Sequence, residues 1–378
     1  MAYEVYATRW DDAHVAEEII PARGLEFTLP LSDHGECSFS ATVEPGRSFW
    51  RPALSVAMSG VLICRDSVPV WSGRMLDDRQ TGPRTFAFTF AEWGSAFEDV
   101  PAEAHTYANV NDHAIFRDLI SRAQAIAGQD CLVQMGSTLG GTASDLTINA
   151  WDTTAVEEEF RRLGESAGGP EWYFAATGTL ANPTRTLVLG DRLGSTEPGP
   201  VLEYVEATEG WLPPSPPPTP LGNVFPTPQN YSGGNVIAHP SRRQIPGITA
   251  AIAVGAGEQG AQLRRYAQAD DLLTAGFPRR TKTARYTDVS IPATLQRHAD
   301  ADLAAGRGMT TAYTLSTLDG DPDWTGVARG DTVRVELDTD CYSGVRPLIF
   351  TSRVLDIAVG VQDVGPAVIN WLVAEVRD

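Results

Sequence analysis

Hydrophobic and polar residues alternate along much of the first hundred residues of the chain. The alternation is clearest over residues 25–29, 37–43 and 85–90, and turn-forming residues flank each stretch. A period of two sends successive side chains to opposite faces of a strand. The pattern therefore predicts that this region is built from β-strands.

The stretch GVLICRDSVPVWSGR, residues 60–74, predicts a β-hairpin. Apolar side chains point to both faces of its first strand, and Arg65-Asp66-Ser67 supplies the turn before the second strand. We expect both faces to be covered by other parts of the protein, as in a barrel or a sandwich. The span also contains a thiol, a carboxylate, a hydroxyl and two guanidinium groups, but its pattern favours a structural hairpin over a catalytic site.

Helical spacing begins after residue 110. Asn111-Asp112 precedes apolar residues that recur every three or four positions as far as Gly128, which predicts a capped helix. A second helix is predicted over 155–163, because acidic residues occupy its first turn and arginines its last. Strands at 171–175 and 186–189 complete a predicted small α/β module.

Residues 211–234 hold eight prolines and predict a stiff linker or an extended loop, because proline removes a backbone donor and fixes φ. After this segment the alternation returns. The predicted elements are a strand at 248–254, a helix at 294–305, and strands at 310–316, 332–337, 348–354 and 367–376. The C-terminal part is therefore predicted to be mainly β, with a helix laid on it.

The predicted fold class is mainly β with α+β parts. A chain of 378 residues is long enough for two or three hydrophobic cores. The expected domains are an N-terminal β domain over 1–100, an α/β module over 101–210, the proline-rich linker or loop 211–234, and a second β domain with an inserted helix over 235–378.

The chain is strongly acidic, with a formal net charge of -19. Such a charge repels phosphate backbones and argues against a broad nucleic-acid-binding surface, although Arg242-Arg243 and Arg279-Arg280 form local basic exceptions. No apolar run reaches the length of a membrane span, and the N-terminus lacks the pattern of a signal peptide. We therefore expect a protein made and assembled in the cytoplasm, with its four scattered cysteines buried as free thiols.

Two motifs suggest ligands and lack the context that would support them. Residues 255–260 match G-x-G-x-x-G, but no parallel βαβ series surrounds them, so a glycine-rich turn is favoured over a dinucleotide site. Asp319, Asp321 and Asp323 stand at alternate positions, as in calcium loops, without the glycine and glutamate that an EF-hand requires. A solvated acidic loop is favoured there, with a bound ion as the alternative.

Catalytic spacings are absent from the sequence. The six histidines show no metal-ligand pattern, and Ser72 lacks the G-x-S-x-G context of a hydrolase nucleophile. Neighbouring acids such as Asp77-Asp78 point apart on a strand. We predict no catalytic residue, no cofactor, no metal site and no enzymatic activity, although a triad assembled from distant positions is defined by geometry and not by sequence.

The order of these weak motifs resembles one protein family over most of the chain. The stretch V-W-S-G-R-M-L-D-D, from Val70 to Asp78, looks like the N-terminal barrel of bacteriophage tail hub proteins, also called minor tail, tail-tip or baseplate hub proteins. The helix at 153–163, followed by Pro170 to Phe174, is similar to the family's helix and aromatic strand. Further similarity, to the second barrel, lies in residues 235–237, 255–257, 294–295 and 330–335.

This resemblance implies a structural virion protein. Two β-barrel-like domains per subunit, flanking the small α/β module, would alternate in a homotrimer and form a ring of six barrels. The ring would close the end of the tail tube at the tail tip, gate the passage of DNA through its lumen, and bind the distal tail protein, the tape measure protein and a tail fibre or receptor-binding protein. The proline-rich insertion departs from the family pattern.

Strand edges and exposed aromatic residues are the expected contacts with other copies. The interface residues predicted on this basis are Arg65, Asp66, Trp71, Arg74, Trp50, Trp93 and Trp211. Two alternatives to the tail hub stay open. A β-sandwich adhesin that binds carbohydrate would expose a cluster of tryptophans, and a hydrolase of unrecognised type would bring carboxylates such as Asp319 and Asp321, or a histidine, together in a pocket.

Overall fold

The computed structural model describes residues 2–11, 15–44, 51–54, 59–136, 140–149, 154–165, 169–205, 234–238, 240–245, 247–257, 262–286, 289–307, 310–338 and 348–375. The chain forms two compact units. The large unit contains residues 2–193 and 244–310, and the small unit contains residues 194–243 and 311–378 together with Met1. No helix among the described residues has the length and apolar character needed to span a membrane.

The large unit begins with a seven-stranded antiparallel sheet. Its strands run in the order β2-β1-β5-β6-β7-β4-β3, with bounds β1 Tyr3–Arg9, β2 Val15–Ile20, β3 Arg23–Pro30, β4 Glu36–Thr42, β5 Ser59–Arg65, β6 Val68–Gln80 and β7 Thr85–Glu92. The strands predicted from alternation are confirmed. Among the described strands no pair joins β2 to β3, so closure into a barrel stays a prediction.

An α/β module follows. Its elements are β8 His105–Asn111, α1 Asp112–Ala125, β9 Val133–Met135, β10 Ala143–Ile148, α2 Val156–Gly164, β11 Glu171–Thr179 and β12 Asn182–Gly190. Strands β8 and β10 pair with each other, and β11, β12 and β9 form a second small sheet. Asn111 Oδ1 accepts hydrogen bonds from the backbone N–H of His113 at 3.0 Å and of Ala114 at 3.3 Å, which confirms the predicted cap of α1.

Aromatic residues fill the core of this module. Phe116 of α1 stacks on Phe160 of α2 with ring centroids 4.7 Å apart, and Trp172 of β11 meets Phe160 edge-on at 6.1 Å. All three side chains are buried. Burial of each contributes about 2 to 3 kcal/mol to folding, so the two helices are held mainly by this contact and not by their own propensity.

The last part of the large unit is a lobe at residues 247–307, which we call the α4 lobe. It contains β15 Ala250–Val254, β16 Arg264–Gln268, α3 Asp270–Thr274, β17 Thr281–Arg285 and α4 Pro292–Gly306. Strand β15 pairs antiparallel with β16 and parallel with β17. Ile248 N–H donates to the Gly306 carbonyl at 2.7 Å, so the lobe begins and ends at the same place and is an insertion in the chain.

The small unit is built on one sheet. Its strands run in the order β13-β19-β20-β21-β18-β14, with bounds β13 Val201–Val205, β14 Ser241–Ile245, β18 Thr310–Leu318, β19 Thr332–Asp338, β20 Leu348–Val361 and β21 Val368–Glu375. Strands β13 and β19 pair in parallel, whereas β19, β20, β21 and β18 pair antiparallel. Trp371 is fully buried in this sheet, and its Nε1–H donates to Thr317 Oγ1 at 2.9 Å.

The described strands and helices confirm a mainly β protein with α+β parts. Residues 244–310, placed in the second β domain by sequence, cluster with residues 2–193 in the division into compact units. The predicted domain boundaries at 100, 210 and 234 stay a prediction. The proline-rich segment 211–234 lies outside the described residues except for Gly234.

One buried cation joins several segments of the large unit. Arg185 of β12 is 4% exposed, and its Nη1 donates to the carbonyls of Trp10 at 2.8 Å and Cys131 at 2.6 Å. Its Nη2 donates to the Arg9 carbonyl at 2.5 Å. The guanidinium carbon also lies 3.5 Å from the centroid of the Trp93 ring, a cation–π contact.

We expect Arg185→Leu to lower the free energy of unfolding by about 3 to 5 kcal/mol, because three backbone carbonyls, one of them on buried Cys131, lose a charged donor at once. Urea unfolding of the full chain measures this loss. Arg84→Leu is the matched control, since Arg84 is exposed and pairs with no described carboxylate, and it should change stability by less than about 0.5 kcal/mol. Similar losses in both variants would contradict the role given to Arg185.

Candidate assembly interface

The β5–β6 hairpin carries four of the predicted interface residues. Asp66 and Ser67 form its turn with φ of 49° and 67°, the left-handed pair that a tight hairpin requires. Asp66 Oδ1 accepts from the backbone N–H of Ala2 at 2.9 Å, and Asp66 N–H donates to the Ala2 carbonyl at the same distance. These two hydrogen bonds fix the turn to the start of β1, and Asp66 itself stays exposed.

The residues next to the hairpin turn differ in exposure. Arg65 is buried at the end of β5, and its strand partners are Tyr3 and Val68. Val68 is 60% exposed at the start of β6 and was not among the predicted interface residues. Asp66, Ser67 and Val68 are thus the residues of the hairpin tip that face solvent, and an interface role for Arg65 and Asp66 stays a prediction.

The predicted exposure of Trp71 and Trp93 is wrong. Each side chain is 1% exposed. Trp71 Nε1–H donates to the Thr28 carbonyl at 3.2 Å, and Trp93 packs edge-on against Trp10 at 5.6 Å. Both indoles therefore belong to the interior, Trp71 on strand β6 and Trp93 at the start of the 3-10 helix Trp93–Phe97. Trp50 and Trp211 lie outside the described residues.

Gly73 explains why the W-S-G-R stretch tolerates no side chain at its third position. A Cβ on Gly73 would lie 2.2 Å from the Ala91 carbonyl oxygen and 2.4 Å from the Trp71 ring. Trp71 folds over this glycine, and β7 runs directly behind it. The glycine of the W-S-G-R stretch therefore allows the Trp71 indole to lie close to the backbones of β6 and β7.

Arg74, the last residue of the signature, fastens the 3-10 helix Trp93–Phe97 to the sheet. Its Nε donates to Ser95 Oγ at 2.8 Å, and its Nη2 donates to the Ser95 carbonyl at 2.6 Å. Asp99 and Glu98 lie 3.4 Å and 3.7 Å from the guanidinium. The described contacts of Arg74 are thus internal, and its predicted role in an interface stays a prediction.

A group of charged residues, which we call the His34 cluster, contains Asp33, His34, Glu98, Glu157 and Arg161. His34 Nε2 lies 3.0 Å from Glu98 Oε1, and Arg161 pairs with Glu157 at 2.7 Å and with Asp33 at 3.3 Å. Burial raises the pKa of the Glu157 carboxyl, and the nearby Arg161 and His34 oppose that shift. The cluster links α2 to the loop between β3 and β4.

The same cluster is the one place among the described residues where three side chains could ligate a metal. Single ligand atoms of Asp33, His34 and Glu157 lie within 4.8 Å of one another. However, the Arg161 guanidinium already bridges both carboxylates. The arrangement fits an ion-pair network better than a metal site, because a bound cation would have to displace the arginine.

A buried polar pair stands at the start of α1. Asp112 Oδ1 accepts from the backbone N–H of His113 at 2.8 Å and of Thr142 at 3.1 Å, and the residue is 1% exposed. Burial raises the pKa of Asp112, and the two backbone hydrogen bonds oppose the shift. His113 Nε2 lies 3.1 Å from Asp191 Oδ1.

The two ligand-like motifs of the sequence lie in turns. Gly255 N–H donates to the Leu263 carbonyl and Leu263 N–H to the Ala256 carbonyl, which closes a hairpin from β15 to β16 where a dinucleotide site would need a helix. Residues 258–260 of that motif are outside the described residues. Asp323 caps a short 3-10 helix by accepting from Thr325 N–H at 3.2 Å.

The described thiols are suited to packing and not to nucleophilic chemistry. Cys37, Cys64 and Cys131 are free and buried, as predicted, and Cys341 lies outside the described residues. Burial raises the pKa of Cys64 and of Cys131 to about 11, although Arg185 opposes the shift at Cys131. Both thiols therefore stay protonated at neutral pH.

Exposed apolar residues at hairpin tips are the surface features that sequence reasoning missed. Val364 is 88% exposed at the tip between β20 and β21, next to Gly365 with φ of 105°. An apolar residue inside the turn sequence Asp-Val-Gly-Pro was the available signal, since turns are normally polar. Such a side chain is suited to contact with another protein.

Comparison with known proteins identifies the fold of this chain. No family model matches the chain, and no curated protein matches its sequence. A tail protein from Neisseria meningitidis MC58 aligns over 99% of this chain and 97% of its own, with a TM-score of 0.62 and 12% identity. The 43 kDa tail protein of prophage MuSo2 from Shewanella oneidensis aligns over 98% of both chains, with a TM-score of 0.57 and 12% identity.

A third solved structure agrees. The prophage tail protein gp18 from Listeria monocytogenes EGD-e covers 98% of this chain and 94% of its own, with a TM-score of 0.54 and 8% identity. The chain therefore has the fold of phage tail proteins, as its motifs suggested.

We expect Gly73→Ala to lower the free energy of unfolding by about 3 kcal/mol, because the added methyl group meets backbone on one side and Trp71 on the other. Gly82→Ala is the control, since the nearest atom to its new Cβ would be 3.5 Å away. The urea unfolding midpoints of the two variants measure this difference in stability. Equal midpoints would show that the sheet yields at Gly73 without cost.

We expect Asp112→Asn to gain stability relative to the natural chain as pH rises from 4 to 7. A raised carboxyl pKa means that the folded state holds its proton more tightly than the unfolded state. Stability is therefore fully present below the ordinary value of 3.8 and is lost as pH rises through the raised value. The asparagine cannot ionise and avoids this loss.

Urea unfolding at a series of pH values measures the difference. Asp363→Asn is the control, because this exposed carboxylate stays hydrated in both states and its replacement should bring no gain. A constant difference between Asp112→Asn and the natural chain across the series would contradict the account of Asp112.

Proposed function

We propose that this chain is a structural subunit of a phage tail, and that three copies form a hub at the tail tip that closes the end of the tail tube. One observation carries the proposal: the fold matches tail proteins over nearly the whole length of both chains, 99% and 97% for the Neisseria protein. A match confined to one domain would leave the remaining residues free for another task.

The hub would connect the tube to its neighbours. The distal tail protein, the tape measure protein and a fibre or receptor-binding protein are the proposed partners, and DNA would pass through the lumen when the tip engages the host. The exposed side chains of Asp66, Val68 and Val364 at the ends of hairpins are suited to such contacts.

The chemistry of the described residues supports a structural role. Arg74, Arg185 and the His34 cluster all fasten one segment of the chain to another. Of the six described tryptophans, five are buried: Trp71, Trp93, Trp172, Trp324 and Trp371. They therefore do not form the exposed cluster that a carbohydrate-binding adhesin requires.

We expect the purified chain to form a particle of three times its 40.7 kDa mass, with a central hole. Light scattering gives the mass, and negative-stain imaging gives the shape. The measurement is repeated with the neighbouring tail proteins, because a hub that assembles on the tail would trimerise in their presence. A compact monomer under both conditions would contradict the hub.

A further inference from the structure

The three-stranded sheet of the α4 lobe has two unlike faces. Ala253 and Ala267 point to one face and pack against Leu295 and Ala299 of α4. Because successive side chains of a strand alternate, the residues between them point to the other face. Helix α4 thus covers one side of this sheet, and the other side carries its own set of side chains.

On that second side, Ile252, Arg264, Tyr266, Thr283 and Arg285 form what we call the open face. Register places Tyr266, Ile252 and Thr283 in one row across the three strands, and Arg264 and Arg285 at the two ends of the next row, on either side of Val254. Tyr266 is 57% exposed, and Arg264, Thr283 and Arg285 are exposed as well, whereas Val254 of the central strand is 7% exposed. The open face therefore presents an aromatic side chain and two cations to solvent from its outer strands.

Neither arginine of the open face is neutralised within the described part of the chain. No ion pair joins Arg264 or Arg285 to a described carboxylate, whereas Lys282, which points to the helix face, pairs with Asp302 at 2.8 Å. Arg279 and Arg280 precede β17, are exposed and likewise lack a described ion pair. The cations of the open face are thus available to a partner.

Charge is distributed unevenly between this lobe and the rest of the chain. Residues 244–310 hold eight of the 29 Lys and Arg residues but only six of the 48 Asp and Glu residues. The lobe is therefore slightly basic, and the remainder, with 21 basic and 42 acidic residues, is strongly acidic. Two surfaces of opposite sign on one chain can meet between copies.

The size of the open face decides what kind of contact it makes. Three strands about 4.8 Å apart and five residues long cover roughly 200 Å². One side of a standard protein interface buries about 800 Å². The open face is thus the size of a central anchor within a larger interface, and Tyr and Arg are the residue types enriched in such anchors.

We infer that the open face docks on an acidic surface of a second copy of this chain. The inference rests on the proposed homotrimer and names the contact that would hold it together. A closed ring of three copies uses heterologous contacts, in which one patch of each copy meets a different patch of the next. The basic open face and the acidic remainder of the chain supply two patches that attract each other.

A nucleic acid fits the open face less well. Affinity for a phosphate backbone comes mainly from the number of basic contacts, and the face offers two arginines with two more beside it. The net charge of -19 also opposes the approach of a polyanion to the chain as a whole. Release of trimers by added DNA, with DNA bound in their place, is the outcome that would favour a nucleic acid instead.

Charge reversal tests the contact. We expect the double variant Arg264→Glu/Arg285→Glu to raise the dissociation constant of the trimer at least tenfold, because like charges would then face each other. Analytical ultracentrifugation of the full chain over a range of concentrations and salt measures it. Arg264→Lys/Arg285→Lys keeps both charges and should retain the trimer and its salt dependence.

A matched control separates a local contact from overall charge. Arg79→Glu/Arg84→Glu makes the same change in net charge at two exposed arginines that have no described ion pair, one near the end of β6 and one in the turn before β7, and it should leave the trimer intact. Circular dichroism checks that each variant is folded. Equal weakening by both pairs would overturn the inference, because global repulsion would then account for the effect.

Photo-crosslinking is a second test of the contact, and it does not depend on disrupting the trimer. With a benzophenone amino acid in place of Tyr266, crosslinks should join two copies and map to an acidic segment of the partner copy. A trimer that survives the glutamate variant and gives no crosslink from position 266 would overturn this inference and leave the hub standing. A natural chain that stays monomeric alone and with its neighbours would overturn both.

Discussion

The large unit depends on a buried guanidinium. Arg185 leaves water only because its hydrogen bonds and the face of Trp93 replace the hydration that it loses. Its acceptors come from the end of β1 and from the segment before β9, which are far apart in sequence. Since a charge of this kind cannot move without losing several bonds at once, it fixes the α/β module against the first sheet.

The 3-10 helix Trp93–Phe97 is the joint on which these contacts converge. Arg185 stacks on its first residue, and Arg74 binds Ser95 from the side of β6. The β5–β6 hairpin thus uses Asp66 and Arg74 to hold segments of the chain together, at its turn and at the 3-10 helix. Its thiol, Cys64, is buried and packs in the interior.

Spacing between neighbouring residues was enough to predict the strands and helices, but it did not predict how they pack against one another. Strands β3, β4 and β7 and the Asn111 cap follow from spacing of two or of three to four residues, which neighbouring residues alone determine. The burial of Trp71 and Trp93 depends on strands and helices distant in sequence, so their exposure was mispredicted. The clustering of residues 244–310 with the N-terminal half, and the joint made by Arg185, depend likewise on contacts between distant residues that no period in the sequence encodes.

Charges on this chain act differently at long range and at contact. A net charge of -19 keeps copies of the chain apart at long range, because repulsion acts over the Debye length of about 8 Å in physiological salt. At contact, individual charges matter more than their sum. A confined basic surface can therefore attract an acidic surface at contact, and alternation along β16 and β17 places Arg264 and Arg285 on one side of the α4 lobe, away from the carboxylate of Asp302.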